Sequence, residues 1–141
     1  MALGDKRSRA ITLGGIARLL AAKGDVDQAL KLHQENLAIA EALGDLDGIA
    51  NTLWSIATIE MRQHFKQAFE HLAVSYDINI KVGRLDAICY VGQDFGQLLC
   101  ARGDPEKGLA VLERSRDGFV KLARPENARY VQSIIDEIQS K

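Results

Sequence analysis

The side chains best suited to metal or nucleophilic chemistry are three histidines and two cysteines in a chain of 141 residues. His64 and His71 are seven residues apart across a predicted helix start, and neither Cys89 nor Cys100 has a partner at the spacing of a zinc site. His33 falls on a packing position of its predicted helix, which favours a core histidine with satisfied polar atoms. We therefore predict neither a metal site nor a cofactor.

The carboxylates do not form an acid–base site either. Asp25 with Asp27, and Asp45 with Asp47, stand where helices are predicted to begin, so capping and the helix dipole explain them. Asp94 is accompanied by no base or nucleophile. The sequence contains no dinucleotide-binding glycine motif, phosphate loop, His-Glu-x-x-His motif or Gly-x-Ser-x-Gly elbow. We predict that the protein is not an enzyme.

The composition favours a folded protein that binds neither nucleic acid nor membranes. Hydrophobic residues make up 47% and charged residues 26% of the chain, as in ordinary globular domains. The 18 basic and 19 acidic residues give a net charge of -1, without the basic excess that anionic partners need. Lys6, Arg7 and Arg9 are expected to be a solvated first helical turn. No run of about 18 apolar residues is present, so no membrane span is predicted.

The cysteines and the first residues indicate a reducing compartment. Cys89 and Cys100 lie eleven residues apart on one predicted helix, which separates them by roughly 16 Å, beyond the reach of a disulfide. The sequence from Met1 to Asp5 lacks the charged and apolar regions of a signal peptide. We therefore expect a cytoplasmic location.

An internal repeat organises the whole chain. One tripeptide recurs, with substitutions, at steps of forty, thirty-nine and forty residues: Leu3-Gly4-Asp5, Leu43-Gly44-Asp45, Val82-Gly83-Arg84 and Leu122-Ala123-Arg124. A second marker, Lys23-Gly24-Asp25, returns as Arg102-Gly103-Asp104. At the matching place in the middle repeat, near His64, the turn is one residue shorter. Periods of this length are typical of solenoids. We predict one domain, 1–141, with repeats at about 5–44, 45–83 and 84–124.

Each repeat is predicted to contain two helices. Glycine followed by a polar residue separates segments in which apolar residues recur at steps of three and four. Pro105 and Pro125 occupy the favoured first turn of a helix. The predicted helices cover residues 6–23, 26–43, 46–63, 65–82, 85–102, 105–123 and 125–140.

Small residues recur where the two helices of each repeat should cross: Ala17, Ala57 and Gly96 in the first helices, and Ala29, Ala68 and Gly108 in the second. With larger residues around them, they form the series Leu13, Ile16-Ala17, Leu20, Ala29, His33; Leu53, Ile56-Ala57, Glu60, Ala68, Leu72; and Gly92, Phe95-Gly96, Leu99, Gly108, Leu112. This pattern resembles the tetratricopeptide repeat, in the forty-residue variant of bacterial regulators and kinesin light-chain-like arrays. The resemblance implies an all-α, right-handed α-solenoid of antiparallel helix pairs, with three repeats and a C-terminal capping helix.

In this family the first helices line a concave groove that holds partner segments. The resemblance therefore implies a binding set of inward-facing residues: Arg18, Asn51, Trp54, Thr58, Arg62, Tyr90, Gln93 and Gln97. Aromatic rings, amides and arginines are suited to protein contacts. We predict an interaction module for a peptide or protein. Taken singly, Trp54 could instead wedge between repeats, Tyr90 could pack its ring, and the glutamines could be ordinary solvated residues.

The two ends of the chain suggest an alternative. The last helix is a suitable cap, because its apolar residues form one stripe: Ala128, Val131, Ile134, Ile135 and Ile138. Between Ala10 and Ala22, in contrast, only Thr12 and Arg18 are polar. Either this alanine-rich helix tolerates exposure, or the chain is the C-terminal part of a longer array or self-associates through its first helix. The alternative hypothesis is therefore a structural segment that forms homo-oligomers.

Overall fold

A computed structural model describes residues 3–141 and, for residues 3–12, the backbone alone. The exposure expected for Lys6, Arg7 and Arg9 therefore lies outside the described residues. The described part of the chain forms seven helices and no strand: α1 (Leu3–Ala22), α2 (Val26–Leu43), α3 (Leu46–Glu60), α4 (Phe65–Val82), α5 (Leu85–Ala101), α6 (Pro105–Lys121) and α7 (Pro125–Gln139). The predicted all-helical repeat fold is confirmed.

Asp25 and Asp45 cap α2 and α3, and Pro105 and Pro125 are the first residues of α6 and α7, as predicted. Oδ1 of Asp25 accepts a hydrogen bond from the backbone N–H of Gln28 at 3.4 Å, and Oδ1 of Asp45 accepts one from Gly48 at 3.1 Å. Each bond satisfies an N–H group that has no partner within the helix. The predicted capping role of these two aspartates is confirmed, and no acid–base role is needed to explain them.

The joint between α3 and α4 differs from the others and from our prediction. Gly44, after α2, has a φ of 65°, and Ala123 takes the same left-handed conformation after α6 with a φ of 57°. The shorter joint after α3 contains no residue with positive φ. Instead, α3 ends at Glu60, and residues 61–63 form a turn. The helix predicted for 46–63 is therefore too long at its end, because this turn lacks the left-handed residue, glycine or Ala123, that marks the other joints.

The chain divides into two compact units, one ending at Ile78 and the other starting at Asn79. The first unit contains α1, α2, α3 and most of α4, with α2 packed against both α1 and α3. Its core includes Ala17, Ala29, Ala57 and Leu72, each fully buried. The buried hydroxyl of Ser75 donates a hydrogen bond of 2.7 Å to the backbone oxygen of Ala50, which ties α4 to α3.

The second unit contains α5, α6 and α7, together with the last turn of α4. Its core comprises Cys89, Leu112, Phe119, Ala128, Val131 and Ile135. The helices α5 and α6 approach closely at two glycines, since a Cβ atom added to Gly108 would lie 2.7 Å from the backbone oxygen of Gly96. The small residues at this crossing thus have the role that the sequence predicts. The apolar stripe predicted for α7 also faces the core of this unit.

Candidate functional site

In the first unit, one side of α3 is accessible to solvent. Asn51 and Thr58, two turns apart, are exposed, whereas Leu53 and Ile56 are buried. The ring of Trp54 is partly buried and lies between the two exposed residues along the helix. Three residues of the predicted binding set therefore belong to one accessible stripe on α3.

Two details of this stripe differ from a simple helical pattern. The hydroxyl of Thr58 donates to the backbone oxygen of Ser55 at 2.7 Å, so its proton is used within α3. Arg62 is exposed but lies in the turn after α3, because the helix ends at Glu60. Arg62 therefore does not extend the helical stripe, although it lies only four residues after Thr58 in the chain.

Arg18, on α1, lies beside buried polar groups of α2. Its guanidinium Nη1 is 3.9 Å from the position that a Cβ atom on Gly14 would take, and Nδ2 of Asn36 is 3.1 Å from the same position. His33 is 2% exposed and Asn36 is 7% exposed. Burial lowers the pKa of His33, and the nearby positive charge of Arg18 lowers it further.

Three atoms of these buried polar groups have no hydrogen-bond partner in the described part of the chain. Among the described residues, nothing forms a hydrogen bond with either ring nitrogen of His33 or with Oδ1 of Asn36. The expectation of a core histidine is correct about the burial of His33 and wrong about its polar atoms being satisfied. Sequence reasoning missed Asn36, although the repeat places buried Ser75 and Ser115 at the equivalent positions.

In the second unit, Tyr90 takes part in internal packing. Its ring meets that of Phe119 edge to face, with 5.0 Å between the ring centroids and an angle of 76° between the planes. Arg124 donates a hydrogen bond of 2.6 Å to the Tyr90 hydroxyl, and its guanidinium carbon lies 5.4 Å from the ring centroid. Tyr90 therefore stabilises this unit, in agreement with the interpretation in which its ring packs.

The two glutamines of the predicted set have different surroundings. The side-chain oxygen of Gln93 is buried without a hydrogen-bond partner in the described part of the chain. Nε2 of Gln97 donates to the backbone oxygen of Gln93 at 3.0 Å. Gln97 also lines a cleft of about 310 Å³, together with Cys100 and Ile134. The sequence did not predict this cleft, although the apolar stripe of α7 supplies part of its wall.

The structure offers no catalytic or metal-binding arrangement among its described residues. No group of three His, Cys, Asp or Glu side chains there is placed to hold a metal ion. Cys89 and Cys100 are both free, and burial raises the pKa of both thiols, so thiolate chemistry is not favoured at neutral pH. Within residues 3–141, no helix is long and apolar enough to cross a membrane.

Comparison with known proteins agrees with this helical-repeat architecture. The tetratricopeptide repeat family model matches residues 8–81, more than half of the chain. Among solved structures, the crystal structure of BtubC (BKLC) from P. vanneervenii matches with a TM-score of 0.66 and 13% sequence identity. This match covers 93% of the chain and 63% of BtubC, so the chain spans less than two thirds of that protein. No curated protein matches the chain.

Paired helices with small residues at their crossings define a helical-repeat protein. The chain belongs to the tetratricopeptide repeat family, as the sequence pattern predicts. This repeat is a scaffold fold that mediates protein–protein interactions rather than catalysis. The similarity to BtubC supports the fold alone, because the sequence identity is low.

Proposed function

We propose that this protein binds a peptide or protein segment through the first helices of its repeats. The observation that carries the proposal is the α3 stripe, in which Asn51 and Thr58 are exposed on both sides of Trp54. An aromatic ring between polar groups can cover an apolar side chain while the amide of Asn51 pairs with a backbone. Arg62 follows this stripe in the chain, and Arg18 lies on α1, which contacts α3. Both are exposed, and each can bind a carboxylate.

The α3 stripe can be tested without damaging the fold. The variant Thr58→Glu/Arg62→Glu changes two exposed residues and places negative charge where the partner should bind. We expect capture of a specific partner from a lysate of source cells to fall at least tenfold, about 1.4 kcal/mol. Quantitative mass spectrometry of the captured proteins measures this loss.

A matched control separates the stripe from general charge effects. The variant Lys31→Glu/Ala38→Glu alters two exposed residues of α2 and changes the net charge by the same amount. It should capture as much partner as the wild type, with all three proteins equally helical by circular dichroism. Equal capture by the two variants would assign binding to another surface.

The exposed apolar residues of α1 favour a second candidate, a structural segment that associates through this helix. Ile16 is 43% exposed and Leu19 is 65% exposed, three residues apart on the helix. Apolar side chains that are neighbours on a helix surface form a contact stripe for another helix. The occupant would be a second copy of the chain or a further repeat of the same kind.

Self-association through α1 predicts a mass that depends on concentration. The wild type should sediment as larger species as its concentration rises, whereas Leu19→Glu should stay monomeric, because a charge in an apolar contact is costly. Gln34→Glu, an exposed change of equal charge on α2, should behave as the wild type. A wild type that remains monomeric throughout the accessible concentration range would exclude a second copy of the chain as the occupant of this stripe.

A further inference from the structure

The part of α1 whose side chains the structure describes, residues 13–22, is weakly anchored in the first unit. Its two buried residues are Gly14 and Ala17, which bring at most a methyl group to the core. Its four larger apolar residues are only half-buried or exposed: Leu13, Ile16, Leu19 and Leu20. The hydrophobic effect holds a helix in proportion to the apolar area that the helix buries, so this stretch gains little from docking.

The equivalent stretches of the other two repeats are anchored by large apolar side chains. Ile56 of α3 and Phe95 of α5 occupy the position of Ile16 in the repeat, and both are buried. Leu53, at the position of Leu13, is buried as well. The weak anchoring is therefore a property of the first repeat, and the repeat fold itself does not impose it.

The face of α2 that α1 covers contains buried polar groups. Nδ2 of Asn36 lies 3.1 Å from the position that a Cβ atom on Gly14 would take, so this amide faces α1. Burial lowers the pKa of His33, and the charge of Arg18 on α1 lowers it further, so this ring also lies near α1. Both ring nitrogens of His33 and Oδ1 of Asn36 lack hydrogen-bond partners in the described part of the chain. When α1 moves away, water can bond to these atoms, which offsets part of the cost of opening.

The backbone of α1 adds to this weakness. Gly14 and Gly15 are neighbours inside the helix, and glycine is less favourable in a helix than any residue except proline. Gly14 is explained by its contact with Asn36, whereas a Cβ atom on Gly15 would meet nothing within 4 Å. Packing therefore does not require Gly15, and its effect is to favour the unwound state of α1.

We propose that residues 13–22 of α1 form a removable cover on α2, which opens and closes while α2 and α3 stay folded together. The packing of α2 on α3 and the hydrogen bond from Ser75 to Ala50 do not involve α1, so they remain when the cover opens. Opening uncovers the face of α2 that contains His33 and Asn36. A molecule that binds this face would hold the cover open. The opening itself needs no partner, and the inference therefore goes beyond the proposed binding function.

Labelling of introduced thiols with iodoacetamide measures the opening directly. Ala17→Cys places a thiol on α1 at the crossing with α2, and Ala57→Cys places one at the equivalent position of α3; both alanines are fully buried. The reagent reaches either thiol only when the surrounding helices separate. We expect the Ala17→Cys variant to react at least about a hundredfold faster than the Ala57→Cys variant. Mass spectrometry of the labelled peptides distinguishes these thiols from Cys89 and Cys100.

Hydrogen exchange of the wild type, followed by NMR, needs no substitution at the crossing. The amides of residues 17–22 should exchange at least about a hundredfold faster than those of Leu53, Ile56 and Ala57. Low concentrations of urea should accelerate them little, because a local opening exposes little surface. Gly15→Ala should slow the exchange of residues 17–22 about fivefold, as expected from helix propensity, and leave α3 unchanged. Its control, Gln34→Ala at an exposed position of α2, should not alter the difference between α1 and α3.

The cover is rejected if residues 17–22 exchange at the rate, and with the urea dependence, of the buried amides of α3, because α1 would then open only when the whole first unit unfolds. Equal labelling of Ala17→Cys and Ala57→Cys, with both variants folded by circular dichroism, rejects it as well. So does a Gly15→Ala variant that slows exchange equally in α1 and α3. These measurements use no partner, so their outcome is independent of the capture experiment on α3.

Discussion

Gly108→Val should lower the free energy of unfolding by about 3 kcal/mol, at the upper end of what overpacking costs. A Cβ atom on Gly108 would lie 2.7 Å from the backbone oxygen of Gly96 and 2.9 Å from the backbone nitrogen of Cys100. Backbone atoms cannot turn aside as a flexible side chain can. The helices α5 and α6 must therefore separate, and the second unit loses packing along the whole crossing.

Urea denaturation followed by far-ultraviolet circular dichroism measures this loss. The control is Ala110→Val, which places the same side chain on the exposed face of α6. It should cost only about 0.5 kcal/mol, the difference in helix propensity between alanine and valine. If the two variants unfold at the same urea concentration, the close crossing of α5 and α6 is wrong.

The helices could be predicted because each signal for them occurs more than once. Glycine at the helix ends and small residues at the crossings are local requirements of the fold. The small residue at the crossing, for example, recurs in the three repeats as Ala17, Ala57 and Gly96. Where the repeat loses its marker, prediction fails. The prediction ends α3 three residues too late, since the turn at residues 61–63 contains no glycine and the apolar spacing alone does not mark a helix end.

The candidate site could be predicted only in part. Helical spacing correctly places Asn51 and Thr58 on an exposed side of α3. The same spacing does not reveal which neighbour a side chain meets. Tyr90 is held by Arg124, which lies thirty-four residues further along the chain, and this contact follows from how α5 and the start of α7 pack. The cleft beside Gln97 is formed by three helices and has no counterpart in any single segment.

His33 occupies a buried position at which the other two repeats have an apolar residue. The equivalent residues of the other two repeats are Leu72 and Leu112, and both are fully buried. His33 is almost equally buried but has two ring nitrogens without hydrogen-bond partners in the described part of the chain. A buried polar atom without a partner costs about 1–3 kcal/mol. The first repeat is therefore less stable than its own pattern would allow.

His33→Leu should raise the free energy of unfolding by about 2 kcal/mol at neutral pH, because it removes these unpaired atoms and restores the side chain of the other repeats. It should also remove a sensitivity to acid. The pKa of His33 is lowered in the folded state, chiefly by burial and then by Arg18. The unfolded chain therefore binds a proton first, and wild-type stability should fall as the pH drops below about 6.5.

Urea denaturation at a series of pH values from about 7.5 to about 5, around the ordinary imidazole pKa, distinguishes the effect of His33 from that of the carboxylates. Above the ordinary imidazole pKa neither state is protonated, so the stability contributed by neutral His33 is fully present there. The slope below it should be smaller in His33→Leu than in His64→Leu, a control that removes an exposed histidine and keeps His33. Equal slopes in the two variants would show that His33 does not govern acid stability, and a destabilised His33→Leu would mean that its ring nitrogens are paired in solution.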